Sequence, residues 1–328
     1  MNLWSILELN ERRVLIQQTA NKEGINELAV EKDWWVTIVL KALFSCSCKN
    51  NLLFKGGTSL SKGWGIIQRF SEDIDIALDR SFFGINGDNK SQRDKLRKVS
   101  RKYIREELTL ELKKNLIDLV GAEDFEIEFI ETEHSDNDPT VINIIYNSII
   151  GQKVEYIKNI VKVEISCLSL SDPNELIDIS SLITKYYPKV DYDSSCQIKT
   201  VLPLRTFLEK IFLLHEEFQK PSPRTAKMSR HLYDLEKLMD DENVVQSLKD
   251  RKLYNVIVSH REKFYALKYV DYSHHSPQYI NIIPPSEIYK DWEDDYLEMT
   301  RSFIYGDFLP FEKLIDRIKV LQNRIHSL

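Results

Sequence analysis

Apolar residues recur every third or fourth position through "NLWSILELNERRVLIQQTANKEG" and again through "NELAVEKDWWVTIVLKALF", with Gly24 between the two runs. That period lines one face of a helix, so Met1 to about Ser45 predicts a helical pair. The pattern then shortens. "NLLFKGG" (Asn51 to Gly57) is an apolar run closed by glycines and reads as a strand entering a tight turn. "TSLSKGWGIIQRF" predicts a short helix broken by Gly63 and Gly65, and "EDIDIAL" alternates as a second strand. Ser91 to about Val120 contains no proline or glycine and predicts a long helix, after which "FEIEFIETE", "TVINIIYNS" and "IVKVEISCL" are three strands rich in β-branched and aromatic residues.

From Pro203 the period is helical again, in "PLRTFLEKIFLLHEEFQ", "SRHLYDLEKLM", "NVIVSHREKFYAL", "PSEIYKDWEDDYLEMTRSFI" and "FEKLIDRIKVLQNRI", with "KPSPRTAKMS" as a linker between the first two. The expectation is an α+β fold. Residues 1–198 form a mixed β-sheet flanked by helices, with helices at the N-terminus, and 199–328 form an all-helical lobe.

Composition adds limits. With 328 residues, 42% hydrophobic and 29% charged, the chain can bury one large core or two ordinary ones. "MNLWSILELNERR" lacks the plan of a secretory signal, and no apolar stretch approaches the roughly 20 residues that cross a bilayer, so a cytoplasmic protein without membrane contact is expected. Cys46, Cys48, Cys167 and Cys196 are too few and scattered for a disulfide framework and read as reduced and structural. A net charge of −6 argues against coating nucleic acid by bulk electrostatics but leaves room for a local basic patch. "KSQRDKLRKVSRKYIR" is the candidate, either a solvated helix whose basic residues wrap most of its circumference or a track for an RNA backbone, with "KPSPRTAK" second. His274 and His275 read as surface.

Candidate chemistry centres on "FKGGTSLSKGWGIIQRFSEDIDIAL". On a strand, residues two apart share a face, so Asp73 and Asp75 stand together while Ile74 and Ile76 face a core. Two carboxylates held that close call for a cation, and a hard ion such as Mg²⁺ uses one or two carboxylates plus substrate phosphate oxygens. The alternative is a strand end facing water or paired with a neighbouring Lys or Arg. Upstream, Gly56 and Gly57 let a phosphate approach the backbone, and Thr58 and Ser59 add hydroxyls where a helix begins. The spacing is not that of a Walker A loop. Glu164 in "IVKVEISCL" is the candidate third carboxylate, on a face that is either the site or plain solvent.

Taken with "VEKDWWVTIVLKALF", "LRTFLEKIF" and "RHLYDL", this segment resembles the AbiEii/AbiGii-type toxin nucleotidyltransferases, a branch of the DNA polymerase β-like superfamily that includes the MenT toxins. The resemblance covers most of the chain. It implies that Gly57, Thr58 and Ser59 hold the triphosphate of an NTP, that Asp73 and Asp75 bind Mg²⁺ or Mn²⁺, that Lys210 contacts the nucleotide phosphates and that Asp234 completes the pocket; Lys55 and Gly56 beside the turn and Lys62 after it are read as further nucleotide-binding residues, and Glu164 as the candidate third metal ligand. From the residues alone, Lys210 is a solvated helix position, Arg69 is an alternative phosphate contact, and "RHLYDL" is an ordinary helix start capped by Ser229. The implied activity is transfer of NMP from an NTP to an RNA acceptor, the 3′ end of tRNA, by the toxin of a toxin–antitoxin or abortive-infection pair with a cognate antitoxin. Modification of a protein, including the enzyme itself, or of a small molecule is the alternative.

Overall fold

In the computed structural model of the chain, residues 3–71, 73–87, 89–134, 137–151, 158–249 and 251–328 are described. They divide into two compact units, Met1–Gly63 with Ser71–Val201, and Trp64–Phe70 with Leu202–Leu328.

The first unit is built on a seven-stranded mixed sheet in the order β3-β4-β5-β2-β1-β7-β6. The strands are β1 (Leu52–Lys55), β2 (Asp73–Leu78), β3 (Phe125–Phe129), β4 (Thr140–Tyr146), β5 (Ile160–Ser166), β6 (Asn174–Ile179) and β7 (Cys196–Val201). The five strands expected from alternation are present, and β6 and β7 are additional. β6 pairs only with β7 and leaves Glu175, Leu176 and Asp178 exposed, so burial imposes no readable alternation on its sequence. β7, parallel to β1 through Phe54 and Thr200, is interrupted in sequence by Gln197 and Lys199.

One face of this sheet makes the core. Leu52, Phe54, Ile74, Ile76, Val161, Val163 and Ile165 are fully buried against Trp34, Trp35 and Ile38 of the helix Glu27–Leu43 and Leu108, Leu112 and Leu116 of a second helical rod. The first of these helices starts at Asn26, whose side chain accepts a hydrogen bond from the Leu28 amide at 2.8 Å. Its Trp35 stacks on Tyr146 of β4, with ring centroids 5.0 Å apart. The second rod is the long helix expected from sequence, Lys90–Tyr103 continuing through a π-turn at Ile104–Leu108 into Thr109–Val120. Its basic residues spread over more than half of the circumference but differ in burial and pairing. Arg101 is buried and donates to Glu131 and the Ile130 carbonyl, Arg97 pairs with Asp94, and the cations at 95, 98 and 102 lie exposed at spacings of three and four.

The second unit packs the helices Pro203–Glu217, Arg230–Leu238, Glu242–Leu248, Arg251–His260, Tyr289–Ser302 and Phe311–His326. Trp64–Phe70 belongs to it. The helix expected over "TSLSKGWGIIQRF" stops at Gly63, and beyond it Phe70 donates to the Phe303 carbonyl at 2.8 Å while Tyr305 donates to that of Gln68 at 3.0 Å. Gly306 is needed there, since a Cβ would fall 1.9 Å from the Gln68 Oε1. His274 is exposed as expected, but His275 is buried, with Nε2 3.0 Å from Glu216, because a charged Glu216–Arg261 pair inside the helices needs a further polar neighbour. Ser229 precedes Arg230–Leu238 without a side-chain capping bond; its hydroxyl donates to Asp295. Among the described residues no helix is long and apolar enough to cross a membrane, and all four cysteines are free. Burial raises the thiol pKa of Cys46, Cys48, Cys167 and Cys196, which makes them poor nucleophiles.

Candidate active site

β2 lies between antiparallel β1 and parallel β5, and the register decides which charges meet. Asp75 is opposite Lys55 on one side and Glu164 on the other; Asp73 is opposite Lys162. With Ile74 and Ile76 fully buried, the five charged residues share the other face of the sheet. Lys162 donates to Glu164, and burial disfavours its charge. Yet its pKa is raised, because the bond to Glu164 and the fields of Asp73, Glu164 and Asp75 outweigh that penalty. The charges of three carboxylates are therefore felt at Lys162, one of the two lysines on that face.

The glycine turn is locked to this face. Gly56 has φ +77°, and a Cβ there would lie 2.0 Å from Asp75 Oδ2, so glycine alone lets the carboxylate close on the turn backbone. Thr58 gives its hydroxyl proton to the Asp73 carbonyl, and Ser59 gives its own to the Gly56 carbonyl at 2.8 Å. A hydroxyl has one proton to donate, so both side chains, which are buried, shape the turn; what the turn presents to an anion is backbone.

Lys62 is also engaged. Its ammonium lies 2.6 Å from Asp33 and 3.0 Å from the Ser180 carbonyl, and the second Asp33 oxygen accepts from the Leu182 amide at 2.7 Å. This explains the upstream "EKD". Glu31 accepts from Ser148 Oγ at 2.6 Å and the Ile149 amide at 2.7 Å, while Asp33 brackets the far end of the glycine turn. Sequence reasoning noticed the motif but not its partner 29 residues away. Lys62→Met and Asp33→Asn are expected to lower stability by similar amounts, and the double variant by clearly less than the sum, a coupling of about 0.5 to 3 kcal/mol in a thermal-melt double-mutant cycle.

Among the described residues no three His, Cys, Asp or Glu side chains are gathered into a ready-made metal group. The donor chemistry nevertheless suits a hard divalent ion. Asp73 and Asp75 supply carboxylate oxygens on one face, and such ions complete their shell with water and phosphate oxygens. Glu164 adjoins them but is turned to Lys162.

Lys210 and Asp234 lie in the helical unit, in a closed ion cluster. Arg69 clasps Asp234 through Nε and Nη2, both at 2.7 Å, and Lys210 Nζ reaches Asp234 at 2.9 Å and His231 Nδ1 at 3.4 Å. Lys210 is thus buried and not solvated. Burial alone would raise the Asp234 pKa, but the two cations hold it well below the usual carboxylate range. Burial lowers the Lys210 pKa despite Asp234, and burial with the Lys210 charge depresses that of His231, which stays a neutral imidazole.

A seven-stranded mixed sheet carrying two aspartates beside a glycine turn, followed by a helical region, defines an α+β nucleotidyltransferase fold. The family model described as "Nucleotidyl transferase AbiEii toxin, Type IV TA system" matches residues 38–317, and the chain belongs to that family. The match takes in the glycine turn, the β2 aspartates, Glu164, Lys210 and Asp234. Membership carries nucleotidyl transfer and a place in a toxin–antitoxin system, in which an antitoxin is the counterpart. A search of curated proteins finds no match.

Proposed function

We propose that the protein transfers a nucleoside monophosphate from an NTP to a hydroxyl of an RNA acceptor, the 3′ end of tRNA, as the toxin of a type IV toxin–antitoxin pair. The observation that carries the reading is the placement of Asp73 and Asp75 on one face of β2, with Asp75 closed on the Gly56 backbone. A triphosphate laid on that backbone meets the carboxylates. Mg²⁺ or Mn²⁺ would be held by Asp73 and Asp75, with Glu164 available once it exchanges Lys162, and would polarise the phosphate and neutralise its charge. Lys55, opposite Asp75, is the lysine at the mouth of the turn, and Lys62 fixes the turn's far end through Asp33. In this reading the acceptor hydroxyl attacks the α-phosphorus, the bond to the β-phosphate breaks, and pyrophosphate leaves.

The test is label transfer from each of four α-labelled NTPs to total tRNA, to protein and to the enzyme itself, with and without EDTA. Label on RNA that is lost with EDTA is expected. Label confined to protein would replace the acceptor, and EDTA-resistant transfer would remove the metal.

A further inference from the structure

Lys162 is the neighbour that compensates Glu164. On β5, Glu164 stands between Asp75 of β2 and Val141 of β4, a like charge on one side and an apolar side chain on the other. Neither can pair with a carboxylate. Lys162, two residues earlier on the same strand and about 7 Å along it, shares its face and donates to it. Lys162 itself lies between Asp73 of β2 and Asn143 of β4, and the Asn143 amide donates to Glu128 at 3.3 Å. The ammonium is thus held by Glu164 and drawn by Asp73 and Asp75, the other two carboxylates of the face.

These three carboxylates are also the oxygens that suit a hard divalent ion. An ion on Asp73 and Asp75 meets an ammonium on the same face, and an ion that also takes Glu164 has to displace it, because the two cations repel each other and compete for the same oxygens. The lysine is tethered. Its place on β5 fixes its effective concentration beside Glu164, whatever the solution contains. Side-chain exposures of 39% for Lys162 and 24% for Glu164 leave both groups within reach of an ion arriving from water. We infer that Lys162 is a positioning residue that acts through Glu164: its ammonium competes with the divalent ion for that carboxylate and lowers the affinity of the carboxylate face for the ion. The inference rests on the metal-assisted transfer proposed above, but what it states is a binding equilibrium that needs no NTP to be read.

The experiment titrates the full chain with Mn²⁺ alone and measures the free ion by electron paramagnetic resonance, for the wild type, Lys162→Met, Lys162→Arg, Glu164→Gln and the double variant Lys162→Met, Glu164→Gln. Loss of one competing positive charge a few ångströms away, discounted for screening by water, lowers the Mn²⁺ dissociation constant of Lys162→Met by about tenfold to a hundredfold. Lys162→Arg keeps the charge and stays close to the wild type. In the Glu164→Gln background the gain from Lys162→Met is smaller by about threefold or more, since the carboxylate under competition is gone. An unchanged dissociation constant in Lys162→Met overturns the inference. So does an equal gain in both backgrounds, which would leave Lys162 a surface charge acting at a distance, and so does tighter binding by Lys162→Arg. Lys162→Gln repeats the measurement with a polar side chain, so that a lower melting temperature of the methionine variant does not decide the outcome. Tighter Mn²⁺ binding with no labelled acceptor keeps the Lys162 assignment and sinks the transfer reading; label on an acceptor with unchanged Mn²⁺ affinity does the reverse.

Discussion

If a divalent ion held by Asp73 and Asp75 serves the proposed transfer, Asp73→Ala and Asp75→Ala are each expected to reduce nucleotidyl transfer by about a thousandfold or more while the protein melts close to the wild-type temperature. Electrostatic stabilisation by a bound divalent ion is worth several kcal/mol, and each 1.4 kcal/mol is about tenfold in rate. Either aspartate is half-buried on the charged face, so its loss opens no cavity in the core. Gly56→Ala extends the same test. Its left-handed φ costs an alanine about 1 to 2 kcal/mol, and the added Cβ displaces Asp75, so both stability and activity fall. Placing Gly56→Ala in the Asp75→Ala background removes the clash with the carboxyl group and leaves the backbone cost together with a close approach of 2.9 Å to the Cβ of residue 75, so the stability loss is smaller there. Melting and initial-rate label transfer on the four proteins measure this; equal stability losses in both backgrounds would show that the turn and Asp75 are not in contact.

Asp234→Ala gives the largest loss of stability, about 3 to 5 kcal/mol, because it strands Arg69 and Lys210 without their counter-charge inside the helical unit. Against a total stability of about 5 to 15 kcal/mol this is close to unfolding. Adding Lys210→Met to Asp234→Ala recovers part of the loss, since one stranded charge is gone. The pH dependence has a definite sign. The folded pKa of Asp234 lies below its unfolded value near 3.9, so its contribution is full above about pH 4 and is lost as the pH falls through the lowered folded value. Acid melts of the wild type should therefore lose stability more steeply below pH 4 than those of the double variant. A variant that melts like the wild type would mean the cluster does not support the unit.

Much of the site was legible because local rules act strongly there. Alternation placed Asp73 and Asp75 together, and the same rule put Glu164 opposite Val163 and Ile165, as the sheet has it. Gly56 was readable as a special backbone position, though its need for φ +77° beside Asp75 was not. The hydroxyls of Thr58 and Ser59 looked like phosphate donors because their neighbours, the carbonyls of Asp73 and Gly56, are backbone atoms that no residue pattern marks. β6 escaped notice because an edge strand buries too little to enforce an alternating pattern.

Sequence alone carried the elements with strong periodicity, the two aspartates on one face, the glycine turn before them and the family they suggest, since each depends on neighbours within about one helical turn or one strand. Register, pairing and burial depend on segments far apart in the chain. Asp33 meets Lys62 across 29 residues, Arg69 meets Asp234 across 165, and Asp75 meets Glu164 because β2 and β5 run parallel. The exposed row of Lys95, Lys98 and Lys102 belongs to the same class. The sequence contains all eight cations of that helix and its π-turn, but packing against the sheet chose which of them remain in water.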